Sequence, residues 1–113
     1  MPQATLVSRG FSIPYTATGA AVVAGQVIVA STLVGVATKA IAEDATGALM
    51  IEGEFDFTKT AGGGTAIALG DLVYWDDANN VVTETAESNT LLGKCTKAAA
   101  DGAVLCRVCL NAT

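Results

Sequence analysis

The sequence predicts an all-β fold: a small single-domain barrel or sandwich with an extended N-terminal arm. Three observations predict it. Runs rich in β-branched residues recur at short spacing, at 22–23, 26–30 and 33–36, and are broken by Gly25 and by Ser31 and Thr32. Two strand–turn–strand patterns follow, centred on residues 76–79 and 99–102. No segment carries three turns of a 3.6-residue apolar repeat; residues 38–48 and 98–101 each have room for one helical turn at most. The chain has 113 residues, enough for one domain. A protein of this size buries roughly two thirds of its unfolded surface, which excludes a large nucleotide-driven motor.

The elements follow in chain order. Residues 1–10 read as the arm, with Pro2 and few anchoring groups, and residues 11–113 as the β domain. The N-terminus has no cluster of positive charges ahead of an apolar run, so no secretory signal is expected. Residues 10–38 carry no charge, but Pro14, Gly19, Gly25 and Gly35 interrupt them. A spanning helix wants about 20 predominantly apolar residues, so successive strands are expected here and no membrane partner. Residues 49–57 alternate Ile51, Phe55 and Phe57 with Glu52, Glu54 and Asp56, which reads as one strand with a wet face and a bulge at Gly53. Residues 70–75 and 80–84 form a hairpin about the 76–79 turn, and 91–97 with 103–110 form a second. Pairing Ala98 with Ala103 in the second hairpin sets Cys95 opposite Cys106.

Composition narrows the function. Ala (21), Thr (14) and Gly (12) dominate, and charged residues are 15 %, against about 25 % in an average domain. So uncharged a surface points to partial coverage by neighbours. The net charge is −5, and four Lys and two Arg are dispersed along the chain. Nucleic-acid binding needs clustered Lys and Arg to neutralise phosphates, so none is expected. There is no histidine, which removes the commonest metal ligand and general base.

The motifs favour packing over chemistry. Cys106-Arg-Val-Cys109 is a C-x-x-C, but on a strand its two thiols point to opposite faces. With three Cys and no His, a four-ligand zinc site is not expected. Thr60-Ala-Gly-Gly-Gly-Thr65 lacks the lysine and helix of a phosphate loop and reads as a flexible loop. Asp76-Asp-Ala-Asn-Asn80 offers oxygen ligands for calcium, yet Asp and Asn are also ordinary turn formers, and the turn is preferred. Glu52, Glu54 and Asp56 read as a solvated strand face. Trp75, the single Trp, fits a core plug and an exposed contact anchor equally well.

The segment Leu69-Gly-Asp-Leu-Val-Tyr-Trp-Asp-Asp77 with Val81-Val-Thr83, then Thr90-Leu-Leu-Gly-Lys94 and Arg107-Val-Cys-Leu-Asn111, resembles a family of small tailed-phage capsid decoration (cement) proteins. Val27-Ile-Val29, Val34-Gly-Val-Ala37 and Ile51-Glu-Gly-Glu-Phe-Asp-Phe57 are similar to the same pattern, so the resemblance runs from about Gly25 onward. The family often carries a RecA/RadA-like recombinase label, which the missing Walker motif, the acidic charge and the short chain all oppose. Cys95, Cys106 and Cys109 depart from the pattern, and the arm does not match closely.

The resemblance implies a structural virion protein, assembled in the host cytoplasm. It would bind the major capsid protein on the outside of the head as a homotrimer and stabilise the shell. No catalytic, cofactor-binding or metal-binding residues are implied. The alternative is another virion component, such as a tail or head-completion protein. Candidate capsid or subunit contacts are Gln3, Arg9 and Phe11 on or beside the arm, and Trp75 at the first hairpin.

Overall fold

A computed structural model of the chain describes residues 3–5 and 10–112. The described residues form nine strands in two antiparallel sheets and no helix. The first sheet has the order β1-β4-β3-β2, from β1 (Ser12–Thr16), β2 (Val27–Ala30), β3 (Leu33–Ala37) and β4 (Thr46–Met50). The second has the order β5-β9-β8-β6-β7, from β5 (Glu54–Thr58), β6 (Leu72–Asp76), β7 (Val81–Thr83), β8 (Thr90–Lys97) and β9 (Leu105–Leu110). Segment 38–48, where one helical turn is expected at most, forms no helix: Ile41 bridges to Val22, a tight turn at 43–44 puts Asp44 at φ 66°, and β4 begins at Thr46.

Local chemistry explains the elements. β2 and β3 are joined by Ser31 and Thr32, with Ala30 paired to Leu33 and Ser31 in the left-handed region at φ 59°. β1 carries Pro14. Ala17 N–H donates to Ala45 O and Ile51 N–H to Phe11 O, so the odd-numbered residues of β1 bond β4 and the Pro14 nitrogen points away. A missing N–H costs no ladder bond on that outer edge.

Residues 49–57 do not form the single strand that their alternation predicts. β4 ends at Met50, β5 starts at Glu54 in the other sheet, and Gly53 at φ 121° turns the corner between them. The alternation persists because both strands have one wet face, so the pattern conceals the break. Only glycine takes that backbone angle without strain.

The first expected hairpin forms as β6–β7, with Trp75 opposite Val82 and Asp76 opposite Val81. The second forms as β8–β9, but its register differs from the expected one: Cys95 lies opposite Val108, and an irregularity follows between Cys95 and Lys97. Up to Cys95 this is a slip by two residues, which leaves each side chain on its expected face; beyond the irregularity Lys97 pairs with Arg107 and the parity changes. At Gly93, a Cβ would sit 2.0 Å from the Cys109 carbonyl oxygen, so the β8–β9 approach requires glycine.

Of barrel and sandwich, the structure is sandwich-like. The second sheet curls until its edge strands touch at one end, where Lys59 bridges to Val82 and the Thr58 hydroxyl donates to Asn80 O. No ladder closes that seam. Thirteen buried residues form the main core between the sheets, including Phe57, Trp75, Leu92 and Val108. A second cluster of five (Ala17, Val22, Ala37, Ile41 and Leu49) lies on the far face of the first sheet. β3 serves both: Val34 and Val36 enter the large core and Ala37 the small one. Asn111 ties the layers together, its Nδ2 donating to Val34 O at 3.1 Å and to Ile51 O at 2.7 Å.

Candidate interaction surface

The side chains able to do chemistry are largely engaged in holding the fold. Asp56 and Arg107 form a two-point pair across β5 and β9, with Nε–Oδ1 at 3.0 Å and Nη2–Oδ2 at 3.2 Å. The Arg107 hydrogen bond holds the Asp56 carboxyl below its usual range, and the same contact raises Arg107. Glu54 accepts from the Thr96 hydroxyl at 2.9 Å. Glu52 sits in the corner outside β5, so the three carboxylates do not form one strand face.

Asp76 is consumed by its own turn. Its Oδ1 accepts from the Ala78 and Asn79 N–H groups and its Oδ2 from the Asn79 amide, which together lower its pKa, the Asn79 side chain most. The segment suspected of holding calcium is thus a turn stabilised by its first Asp. Among the described residues, no group of three or more His, Cys, Asp or Glu is placed to hold a metal ion.

The glycine loop has a support that sequence reading missed. Lys59 is 5 % exposed. Its ammonium donates to Thr65 Oγ1 at 2.9 Å and to the carbonyls of Thr60, Ala100 and Ala103 at 3.0, 3.2 and 3.3 Å. A buried ammonium persists only where its protons are accepted, and here it staples the 60–65 loop to the 99–103 turn. The signal was present: Lys59 follows Phe57 by two residues and so shares its inward face.

The cysteines divide as the strand geometry requires. Cys95 and Cys106 are each 1 % exposed and their sulfurs lie 3.8 Å apart, while Cys109 is half-buried. Burial pushes the Cys106 thiol up to about 12, and the neighbouring Cys95 thiol adds to the rise.

Of the four candidate contacts, Trp75 is 3 % exposed and packs as a core plug. Its Nε1 donates to Asp77 Oδ1 at 3.1 Å and its ring lies 5.8 Å from Phe57. Phe11, just before β1, is 54 % exposed, and Gln3 is exposed. Arg9 lies outside the described residues. The burial of Trp75 sets it apart from the exposed Phe11 and Gln3.

Two larger features mark the surface. A groove of about 820 Å³ runs between β2 and β5, floored by Val27, Val29 and Phe55 and rimmed by Asp56, Asp77 and Asn80. Charge is segregated. Residues 10–50 hold only Lys39, Glu43 and Asp44, whereas residues 51–112 hold nine carboxylates and four bases.

A family model described as phage cement protein matches residues 7–110. Comparison with curated proteins and with solved structures gave no match.

Proposed function

The chain belongs to the phage cement protein family, and from that premise we propose that it decorates the outside of a tailed-phage head as a homotrimer on local three-fold axes. The family places its role in the phage capsid, as a structural one. The observation that supports a cementing mechanism is the charge segregation: an almost uncharged first sheet beside a second sheet that carries the acidic excess. An uncharged face suits contact with neighbours, and an acidic face suits solvent.

A closed three-fold ring offers each subunit's patch to an equivalent neighbour. One contact of standard size gives modest affinity, and three linked contacts raise it by avidity. The composite site exists only where capsomers meet, so binding stabilises the assembled shell by mass action. Binding of the major capsid protein requires no catalytic group or cofactor.

Heating bare and decorated heads while measuring DNA release tests the mechanism. Decorated heads should release DNA at a higher temperature; equal temperatures would end it. A solution mass of three chains supports the trimer. A hexameric or dodecameric ring would instead support a tail or head-completion protein.

A further inference from the structure

We propose that the groove between β2 and β5 receives the N-terminal arm of a second copy of the chain, laid in as an added strand. This deepens the cement reading, on which it rests, by assigning the contact that joins subunits. The argument begins with backbone groups. In the two-residue β2–β3 hairpin, Ala30–Leu33 and Ile28–Gly35 are the hydrogen-bonded pairs, and Ala37 N–H donating to Gln26 O continues that parity. Val27 and Val29 therefore direct their N–H and C=O groups outward. On β5, Lys59 N–H donates to Val104 O and Leu110 N–H to Gly53 O, so the odd-numbered positions face β9. Glu54 and Asp56 thus turn their backbone groups to the other wall of the same groove, while Thr58, beside the Lys59–Val82 bridge, lies at the seam with β7.

The β2 edge is also unprotected. Natural edge strands are blunted by Pro, Lys or inward charges. β1, the opposite edge of the sheet, has Pro14. β2 reads Val-Ile-Val-Ala with no such device, and its valines join Phe55 in an apolar floor. One added strand here would join both sheets in the order β1-β4-β3-β2-arm-β5-β9-β8-β6-β7.

The arm has the matching chemistry. Residues 3–9 read Gln-Ala-Thr-Leu-Val-Ser-Arg, with Leu6 and Val7 for an apolar floor, Thr5 and Val7 as strand formers, and neither Pro nor Gly to break a strand. Arg9 is the only charged residue before Lys39, and the groove rim carries Asp56 and Asp77. The occupant comes from a second copy because of reach. The arm precedes β1. The Tyr15 side chain of β1 reaches the groove lining, but the outer edge of β2 lies beyond β4 and β3. Phe11 O accepts from Ile51 N–H, which fixes the root of the arm beside β4, and a strand added outside β2 is four strand spacings, about 19 Å, from β1. Val7 lies four residues before Phe11, and four extended residues span about 14 Å, so a chain's own Leu6 and Val7 fall short of that edge.

The test uses the full chain in a Cys109→Ser background, which removes the accessible native thiol. In the double variant Val7→Cys with Val29→Cys, mild oxidation should give covalently linked multimers. A covalently closed monomer, showing the chain's own arm in the groove, overturns the proposal, as does no cross-link at all. Val29→Pro removes an outward N–H from β2 and should lower the solution mass to that of one chain, with the far-ultraviolet spectrum unchanged. An unchanged mass in a folded Val29→Pro protein also overturns it. Head binding, measured in parallel by sedimentation, separates this inference from the cement reading. Cross-linked multimers that ignore heads would remove the cement reading alone. Head binding without cross-links would remove the arm contact alone and assign the groove to the shell.

Discussion

The two sheets are made of similar strands but held by different means. The second is anchored by a thirteen-residue core around Phe57, Trp75 and Leu92, by the Lys59 staple and by the Asp56–Arg107 pair. The first encloses five buried residues on its outer face, none aromatic, and among the described residues its strands are joined by one side-chain-to-side-chain bond, between Thr16 and Thr46. Its stability comes from leaning on the second through Val34, Val36 and Asn111. The difference teaches a division of labour. The second sheet carries most of the main core, and the first leans on it through β3.

The sharpest way to break that comparison is a pair of truncations. Trp75→Ala empties the large core and should cost about 3–5 kcal/mol, as aromatic-to-Ala core changes do. Val22→Ala removes two methyl groups from the small cluster and should cost about 1–2 kcal/mol. Chemical denaturation measures both. Equal losses would mean that the sheets are equally supported. Amide exchange on the isolated protein gives a second view: β1, β2 and β4 should open more readily than β8 and β9, because local stability follows local burial.

Lys59→Met comes next. It leaves the carbonyls of Thr60, Ala100 and Ala103 without their shared donor. An unmade buried hydrogen bond costs about 1–3 kcal/mol; since water can reach this loop, a total near 2 kcal/mol is expected. Cleavage by protease within residues 60–65 should accelerate. A variant as stable and protease-resistant as wild type would show the staple to be idle.

Much of this was legible in the sequence and some was not, for identifiable reasons. The hairpins at 76–80 and 98–104 were visible because Asp, Asn and Gly mark turns whatever surrounds them. The faces of Cys95 and Cys106 were visible because strand parity survives an even slip in register. The corner at Gly53 was hidden, since alternation cannot tell one long strand from two strands in different sheets. The partners of Asn111 and most of those of Lys59 were hidden because they are backbone carbonyls, which no side-chain pattern reports, although the inward parity of Lys59 was legible. The burial of Trp75 was undecided because a strand end beside a turn faces core or solvent according to tertiary packing alone. The groove arises only when β2 and β5, far apart in sequence, come side by side.

The thiols probe the scaffold with a smaller effect. Cys109 should react first with a thiol reagent, and Cys95 and Cys106 only on unfolding. Thiolate is the reactive form, and burial holds the Cys106 thiol at about 12. Titration with and without denaturant checks this. Three thiols reacting together in the native protein would show that the second sheet opens as easily as the first.

The smallest expected effect is acid sensitivity, and it too belongs to the second sheet. Asp56 is lowered from 3.8 by Arg107, so its contribution is present above the unfolded value and is lost as pH falls through the folded one. Glu84 is raised from 4.5 by its hydrogen bond with Asp71, so its contribution is present below the unfolded value and is lost as pH rises through the folded one. The two oppose each other near pH 4. Acidification below that point should weaken the β5–β9 edge, the wall of the groove, while the Glu84 contact persists. Both groups are exposed, so salt should blunt the Asp56 effect. Asp56→Asn should remove the part of the stability–pH curve that falls with acid and leave the opposite slope from Glu84. If the curve of Asp56→Asn overlays that of wild type between pH 3 and 5, the Asp56–Arg107 pair is not what secures that edge, and the β5 wall would depend on packing alone, as the first sheet does.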